Sequence, residues 1–410
     1  MAVFDNIATV QGADLIALTQ QFGTPLYIYD GNVIRRQVAT LKEVFSGVDI
    51  KIKFACKANT NLSILRLMRS LGVGLDVVSI QEFRMAEIAG YSASEVTYTP
   101  SGVDFAEVEE AIEAGLMLTV DSLPLLEWFG KQYGNSKPCM IRLKPNVAAG
   151  GNAKIMTAHA GSKFGISVLL LDQIVDIVNK YGIKVVGLHQ HTGSDISKAE
   201  PFLEVADVVF QVAKHFPDLI MIDLGGGFKV SYHPNDTLTD MKSLGEEISN
   251  RFRQFCKEYG RTLELWVEPG KFLVSECGIL LVKTTVVKQD PAKVFAHVDS
   301  GLNHLIRPMM YDAYHYIQNL SNPDGPLQTY NVVGYICETD NFAQDRELPE
   351  IRQGDILAIR NAGAYGFSMS SNYNARFRPA EVLIDQGQVR LVRRRETLED
   401  LLATQTGLPQ

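Results

Sequence analysis

Ile52-Lys53-Phe54-Ala55-Cys56-Lys57-Ala58-Asn59 is a short β-prone run that closes on a lysine. It then gives way to apolar residues at helical spacing, Leu62, Leu65, Leu67 and Met68. The same unit, a short strand followed by a longer helical pattern, recurs up to about residue 275. The candidate strands are 52–55, 74–78, 96–99, 118–121, 140–143, 185–189, 220–224 and 265–268. Repeated strand–helix units predict a parallel sheet, and eight of them predict closure into a (β/α)8, TIM-like barrel; the competing arrangement is an open, doubly wound sheet. Polar residues favour the barrel. Lys57, Asp76, Ser79, Ser101, Asp121, His191, Gly225 and Glu268 all fall at or just past the C-terminal end of a candidate strand. In a barrel those ends form one mouth, whereas in an open sheet they would line an edge too long for one small ligand.

After Phe272 the texture changes. Runs at 279–287, 294–298, 330–335, 355–359, 380–384 and 389–392 are short, β-rich and punctuated by Gly, Pro and Asp. They predict an antiparallel β domain, a small barrel or sandwich. The expected division is therefore a barrel over residues 26–275 and a β domain over 276–410, with 1–25 packed on the latter.

The 410 residues carry a formal net charge of −8, which leaves no basic footprint for nucleic acid or an anionic membrane. Any bound phosphate must be held by local geometry. Met1-Ala2-Val3-Phe4-Asp5-Asn6 has neither the basic nor the apolar region of a signal peptide, and no apolar run is long enough to span a bilayer. Cys56, Cys139, Cys256, Cys277 and Cys337 are odd in number, scattered and free of CxxC pairs, so neither zinc nor a disulfide framework is indicated. A reducing cytoplasm is the expected compartment.

The short motifs are chemically complementary. Lys57 sits among small and apolar neighbours, where desolvation would lower its pKa and expose the free amine that Schiff-base formation needs. Gly225-Gly226-Gly227 follows the run Ile220-Met221-Ile222-Asp223-Leu224, and lets successive backbone N–H groups converge on an anion; Gly270 and Ser194 could add donors. Glu268, in Val267-Glu268-Pro269-Gly270, could keep a pyridine nitrogen protonated. Asp76 could orient Lys57 or a ring hydroxyl. His189 and His191 point the same way on a strand, but no third residue with ligand spacing completes a metal site, and His189 reads as structural. Cys337 is a candidate proton donor. Arg307 offers a planar fork for a carboxylate. A lysine amine, an imidazole, phosphate-binding glycines and a carboxylate together suit pyridoxal 5'-phosphate, an aldehyde with a phosphate handle and a basic ring nitrogen.

The order and wording of Phe54-Ala55-Cys56-Lys57-Ala58-Asn59, His191-Thr192-Gly193-Ser194, Gly225-Gly226-Gly227, Glu268-Pro269-Gly270, Cys337-Glu338-Thr339-Asp340 and Gly363-Ala364-Tyr365 resemble the alanine-racemase-like (fold type III) pyridoxal-phosphate decarboxylases. The stretch Ser370-Ser371-Asn372-Tyr373-Asn374-Ala375-Arg376-Phe377-Arg378-Pro379-Ala380-Glu381 resembles the diaminopimelate branch. The resemblance runs from about residue 25 to 395. It implies decarboxylation of meso-2,6-diaminopimelate to L-lysine. It places Lys57 on the cofactor aldehyde, His191 on the ring face, Ser194 on the phosphate, Asp76 and Tyr365 beside the cofactor, and Arg307, Tyr311 and Glu338 at the distal end of the substrate. It also implies a homodimer in which Cys337 and its neighbouring acid come from the partner subunit, with Cys337 or Lys57 returning the proton. Two positions depart from the family wording: Phe54 stands where tyrosine is common, and Lys271 follows Glu-Pro-Gly where arginine is usual. Lys271 keeps the charge without the fork and could meet a substrate carboxylate or the phosphate. Alternatives are a related decarboxylase acting on ornithine, a carboxylated polyamine or a siderophore precursor, and a non-catalytic pyridoxal-phosphate carrier. Arg307 speaks against simple diamine precursors, which call for an acidic distal pocket.

Overall fold

A computed structural model describes residues 6–146 and 162–407. Met1–Asp5, part of the segment in which no leader pattern is read, lie outside them. The chain divides into two compact units, one of Arg36–Val230 with Thr237–Leu273, the other of Met1–Arg35, Ser231–Asp236 and Val274–Gln410.

The first unit is a closed parallel barrel. Its strands are β1 (Ile50–Ala55), β2 (Gly74–Val77), β3 (Val96–Tyr98), β4 (Met117–Val120), β5 (Pro138–Lys144), β6 (Lys184–Gln190), β7 (Met221–Asp223) and β8 (Glu264–Val267). They pair in chain order, and β8 returns to β1 with Leu265 opposite Ile50. Ile166–Ser167 adds a short pairing at the end of β5. The register between β5 and β6 shifts at Val185 and Gly187, where a Cβ on Gly187 would crowd Met221 and Met140. At several strand ends a side chain caps the helix that follows. Ser79 accepts from the Glu82 amide to start the helix Ile80–Ala89, which ends at Gly90 in the left-handed region. Asn61 does the same for Leu62–Ser70 and Asp240 for Met241–Tyr259. Ser79 is thus spent on a helix start. The periodic stretch from Leu169 becomes a 3-10 turn, Val168–Leu170, and a helix, Leu171–Tyr181.

The second unit is built on a nine-stranded sheet. It is antiparallel except where Leu26–Asp30 runs beside Ala380–Asp385 and Val294–Val298 beside Leu327–Val333. Leu26–Asp30, within the range expected to be barrel, pairs instead with Gly278–Gln289. Alternation explains why it fits: Leu26 and Ile28 pack with Ile279, Leu281, Val382 and Ile384, and with Leu15 and Leu18. Tyr27 and Tyr29 occupy the other face, where the Tyr29 hydroxyl donates to Glu381 at 2.6 Å. The acidic partner is why a buried tyrosine is tolerated there.

Candidate active site

The barrel places its polar residues at one end. Lys57 follows β1 in the turn Cys56–Ala58, Asp76 lies on β2, Asp223 ends β7, and Glu268 follows β8. His189 lies on β6, and His191 just beyond it. Asp76, His189, Asp223 and Glu268 are all buried. The His189 Nε2–H donates to Glu268 Oε2 at 2.9 Å, which leaves His189 Nδ1 and Glu268 Oε1 buried without a hydrogen-bond partner. Asp223 Oδ1 accepts from the Gly225 amide at 2.8 Å, and the Gly226 amide donates to His191 Nδ1 at 3.3 Å.

Three acids and several cations in so small a space sort their charges. Burial raises the carboxyls of Asp76 and Asp223, and Glu268 raises both further; the Lys57 charge pulls Asp76 back down. Burial pushes Glu268 the same way, yet its carboxyl is held below the usual range. The interaction with His189, through its charge and its hydrogen bond, is the largest effect that holds Glu268 ionised, with His191 and Lys57 behind it, while burial draws both imidazoles towards the neutral form. The cluster therefore carries its negative charge on Glu268. Lys57 itself is exposed. Its charge is felt by Asp76, Glu82, His191 and Glu268.

The glycines after β7 are required by close approach. A Cβ on Gly225 would lie 2.5 Å from the Gln190 oxygen and 2.8 Å from His191 Nδ1, and one on Gly226 would collide with the Glu268 carbonyl. Gly227 adopts φ 104° against the Gly193 carbonyl. Ser194 and Gly270 lie in the adjoining turns, and Lys271 pairs with Asp195.

Sequence reasoning set His189 aside and did not single out Asp223 or Arg142. Donor atoms of His189, Asp223 and Glu268 lie within 4.8 Å of one another, the three-residue set that strand spacing alone did not suggest. Two of these donors are turned towards each other in the His189–Glu268 bond. Arg142 is buried on β5, where Glu268, Asp76, Asp121 and Asp223 offset the cost of burying its charge. The signal available was an arginine inside Cys139-Met140-Ile141-Arg142-Leu143, an otherwise apolar strand.

The second unit holds the other expected residues. Cys337 and Glu338 are exposed on a loop pinned by Asp340, whose carboxylate accepts from the Leu302 and Ile336 amides at 2.6 and 3.0 Å. The Cys337 amide donates to Asn374, and the Tyr373 hydroxyl to Glu338 at 3.1 Å. Cys56, Cys139 and Cys277 are buried, and Cys256 is half-buried. Tyr365 has φ 55°, a strained value for a residue with a side chain, between Gly363 and Gly366. Arg307 opens the short helix Arg307–Tyr311 and is buried. Among the described residues no carboxylate lies within ion-pair distance of it, and its Nε has no hydrogen-bond partner. Tyr232 and Tyr311 flank its guanidinium at 5.1 and 5.8 Å.

An ionised acid with an open lone pair, an imidazole, a reachable lysine and a cradle that excludes Cβ atoms fit a pyridoxal phosphate, and comparison with known proteins agrees. The chain belongs to the pyridoxal-dependent decarboxylases: residues 31–275 match the family's pyridoxal binding domain. Within that family it falls with the diaminopimelate decarboxylases. It is 37% identical to that of Methanothermobacter thermautotrophicus over 97% of this chain and 95% of the relative, and 36% identical to that of Escherichia coli K12 over 98% of each. The crystal structure of the Helicobacter pylori diaminopimelate decarboxylase complexed with L-lysine superposes with a TM-score of 0.87 at 33% identity, covering 95% of this chain and 98% of that one. Pyridoxal phosphate is the cofactor, and the chain is an enzyme. Among the described residues no helix is long and apolar enough to cross a membrane.

Proposed function

We propose that this enzyme converts meso-2,6-diaminopimelate to L-lysine and carbon dioxide, as a cytoplasmic homodimer with shared active sites. The observation that carries the substrate reading is Arg307. Among the described residues no acid pairs with this buried guanidinium, which is costly, and a substrate that retains a distal carboxylate would supply a counter-ion. Ornithine and decarboxylated diamines do not. The kinship with diaminopimelate decarboxylases, and a relative's complex with L-lysine, point the same way.

Lys57 would hold the cofactor aldehyde, Gly225, Gly226, Gly227, Gly270 and Ser194 its phosphate, and His191 a face of its ring, with Asp76 and Tyr365 alongside. When bound, pyridoxal phosphate would supply an aldehyde for the substrate amine and a ring able to spread the negative charge that loss of carbon dioxide leaves. Glu268 would keep a proton on the ring nitrogen, because His189 above all holds its carboxylate ionised. Neutral His191 would meet a face of the ring without adding a competing positive charge. Arg307 and Tyr311 grip the distal carboxylate, and Glu338 takes the distal ammonium. The charge of Lys271 is engaged by Asp195, so in this reading it supports the site from its edge. The partner subunit's Cys337, or Lys57, returns a proton to the α-carbon. Exposure of the Cys337 thiol supports a role across an interface, and five free cysteines suit a reducing compartment.

Carbon dioxide release from purified protein given meso-diaminopimelate, ornithine or arginine tests the reading. Strong preference for diaminopimelate is expected; equal or faster release from ornithine would remove Arg307 from the substrate site.

A further inference from the structure

Arg307 must present its guanidinium in one plane to bind a carboxylate through two parallel hydrogen bonds. No acid in the described residues fixes that plane. What surrounds the group is aromatic. Tyr232 lies 5.1 Å from the guanidinium carbon, and its own position is over-determined. Its hydroxyl is 2.8 Å from Ser275 Oγ. Its ring meets the His315 imidazole edge-on at 5.4 Å and 80°. His315 is in turn fixed, with Nδ1–H donating to the Arg360 carbonyl at 2.8 Å and its own carbonyl accepting from Arg346 at 3.0 Å. The backbone turn that carries Tyr232 is tied by Asp236, whose carboxylate accepts from the Tyr232 and His233 amides at 2.9 and 3.0 Å.

We propose that Tyr232, braced by Ser275 and His315, is the positioning residue that holds the buried Arg307 guanidinium in place for the distal carboxylate of the substrate, and so helps to set specificity. This rests on the reading of Arg307 given above. The ring does two things at once. Its π-face stabilises a buried cation without neutralising it, which an acid would do. Its rigidity removes rotamer freedom that the arginine would otherwise lose on binding. An acid at the same place would satisfy Arg307 and close it to substrate.

The test compares two ligands that differ in the distal carboxylate. L-Lysine keeps it and cadaverine lacks it. Inhibition constants for both are measured on the holoenzyme with wild type, Tyr232→Phe, Tyr232→Leu, Tyr232→Met and Arg307→Ala, together with KM and kcat for meso-diaminopimelate. Tyr232→Leu is expected to weaken lysine about tenfold and raise KM by a similar factor, with cadaverine inhibition and kcat within about twofold of wild type. Tyr232→Phe keeps the ring and its His315 contact but loses the Ser275 brace, so its lysine inhibition should fall between wild type and Tyr232→Leu. If Tyr232→Leu does not fold, Tyr232→Met, which refills the volume without a π-face, carries the same expectation. Equal losses for lysine and cadaverine would mark Tyr232 as merely structural and overturn the proposal. So would lysine inhibition unchanged in the leucine and methionine variants while Arg307→Ala abolishes it. If Arg307→Ala also leaves the lysine-to-cadaverine ratio unchanged, the reading of Arg307 fails first.

Discussion

Gly226→Ala is the sharpest single perturbation of the phosphate cradle. The added Cβ would lie 2.9 Å from the Glu268 carbonyl carbon and 3.2 Å from Pro269 Cα, with the Glu268 carbonyl oxygen closer still. These are backbone atoms and cannot rotate away. The turn after β7 and the end of β8 must separate by roughly 1 Å to reach ordinary van der Waals distance. That displacement falls between the residues expected to hold the phosphate and the acid expected to face the ring nitrogen. Overpacking of this kind costs about 1–3 kcal/mol of stability. A misplacement of about 1 Å in a catalytic constellation can cost on the order of 100-fold in turnover. Gly226 does not have a positive φ, so the loss arises from contact alone. Gly182→Ala is the matched control, because it adopts φ 64° with open space around its Cβ. It pays the cost of the left-handed region, about 1–2 kcal/mol, far from the cradle. Pyridoxal phosphate affinity, read by absorbance on the apoprotein, and turnover on the holoenzyme separate the two. Gly226→Ala is expected to lose both while Gly182→Ala keeps both. A Gly226→Ala protein that binds the cofactor as wild type does would refute the cradle.

Glu268→Gln removes the ionised partner of the ring nitrogen but keeps its shape, so the cofactor should stay bound while kcat falls on the order of 100- to 1000-fold; turnover near wild type would show that the ring needs no anion there. Asp76 tests the charge sorting. Burial raises its folded pKa above the unfolded value of about 3.9, so the folded protein binds the extra proton and its stability falls as pH rises through the folded value. Thermal unfolding of the apoprotein between pH 4 and 8 should show a flatter decline for Asp76→Asn than for wild type, and identical slopes would contradict a raised Asp76. Lys57→Ala and Cys337→Ala proteins, each impaired alone, should regain partial activity when mixed; silence despite demonstrated subunit exchange would count against a shared site.

The barrel was legible because parallel strands are buried on both faces and end on polar residues, a pattern that each strand–helix unit repeats. Leu26–Asp30 was not, because Leu-Tyr-Ile-Tyr is buried on both faces as a barrel strand is, and its partners, from Gly278 and from Ala380 onward, lie far away in sequence. Lys57, His191, Glu268 and the glycines could be placed at strand ends from the sequence, and the structure places them there. His189 was set aside. Its value lies in one hydrogen bond to Glu268 across 79 residues, which no local pattern records. Asp223 ends its strand and Asp76 lies one residue short of the end of its own, but the glycines beside Asp223 drew the reading to the backbone instead. Tyr232 was invisible for a related reason: it lies just past a glycine loop, and only the folded chain brings it to Arg307.

Turnover as proposed depends on the attachment of pyridoxal phosphate to Lys57. Borohydride reduction of the holoenzyme, followed by proteolysis and peptide mass mapping, reads that bond directly. The phosphopyridoxyl mass is expected on the peptide containing Lys57 and is expected to vanish in Lys57→Ala. Recovery of the label on another lysine, or its absence from the reduced wild-type enzyme, would contradict the account.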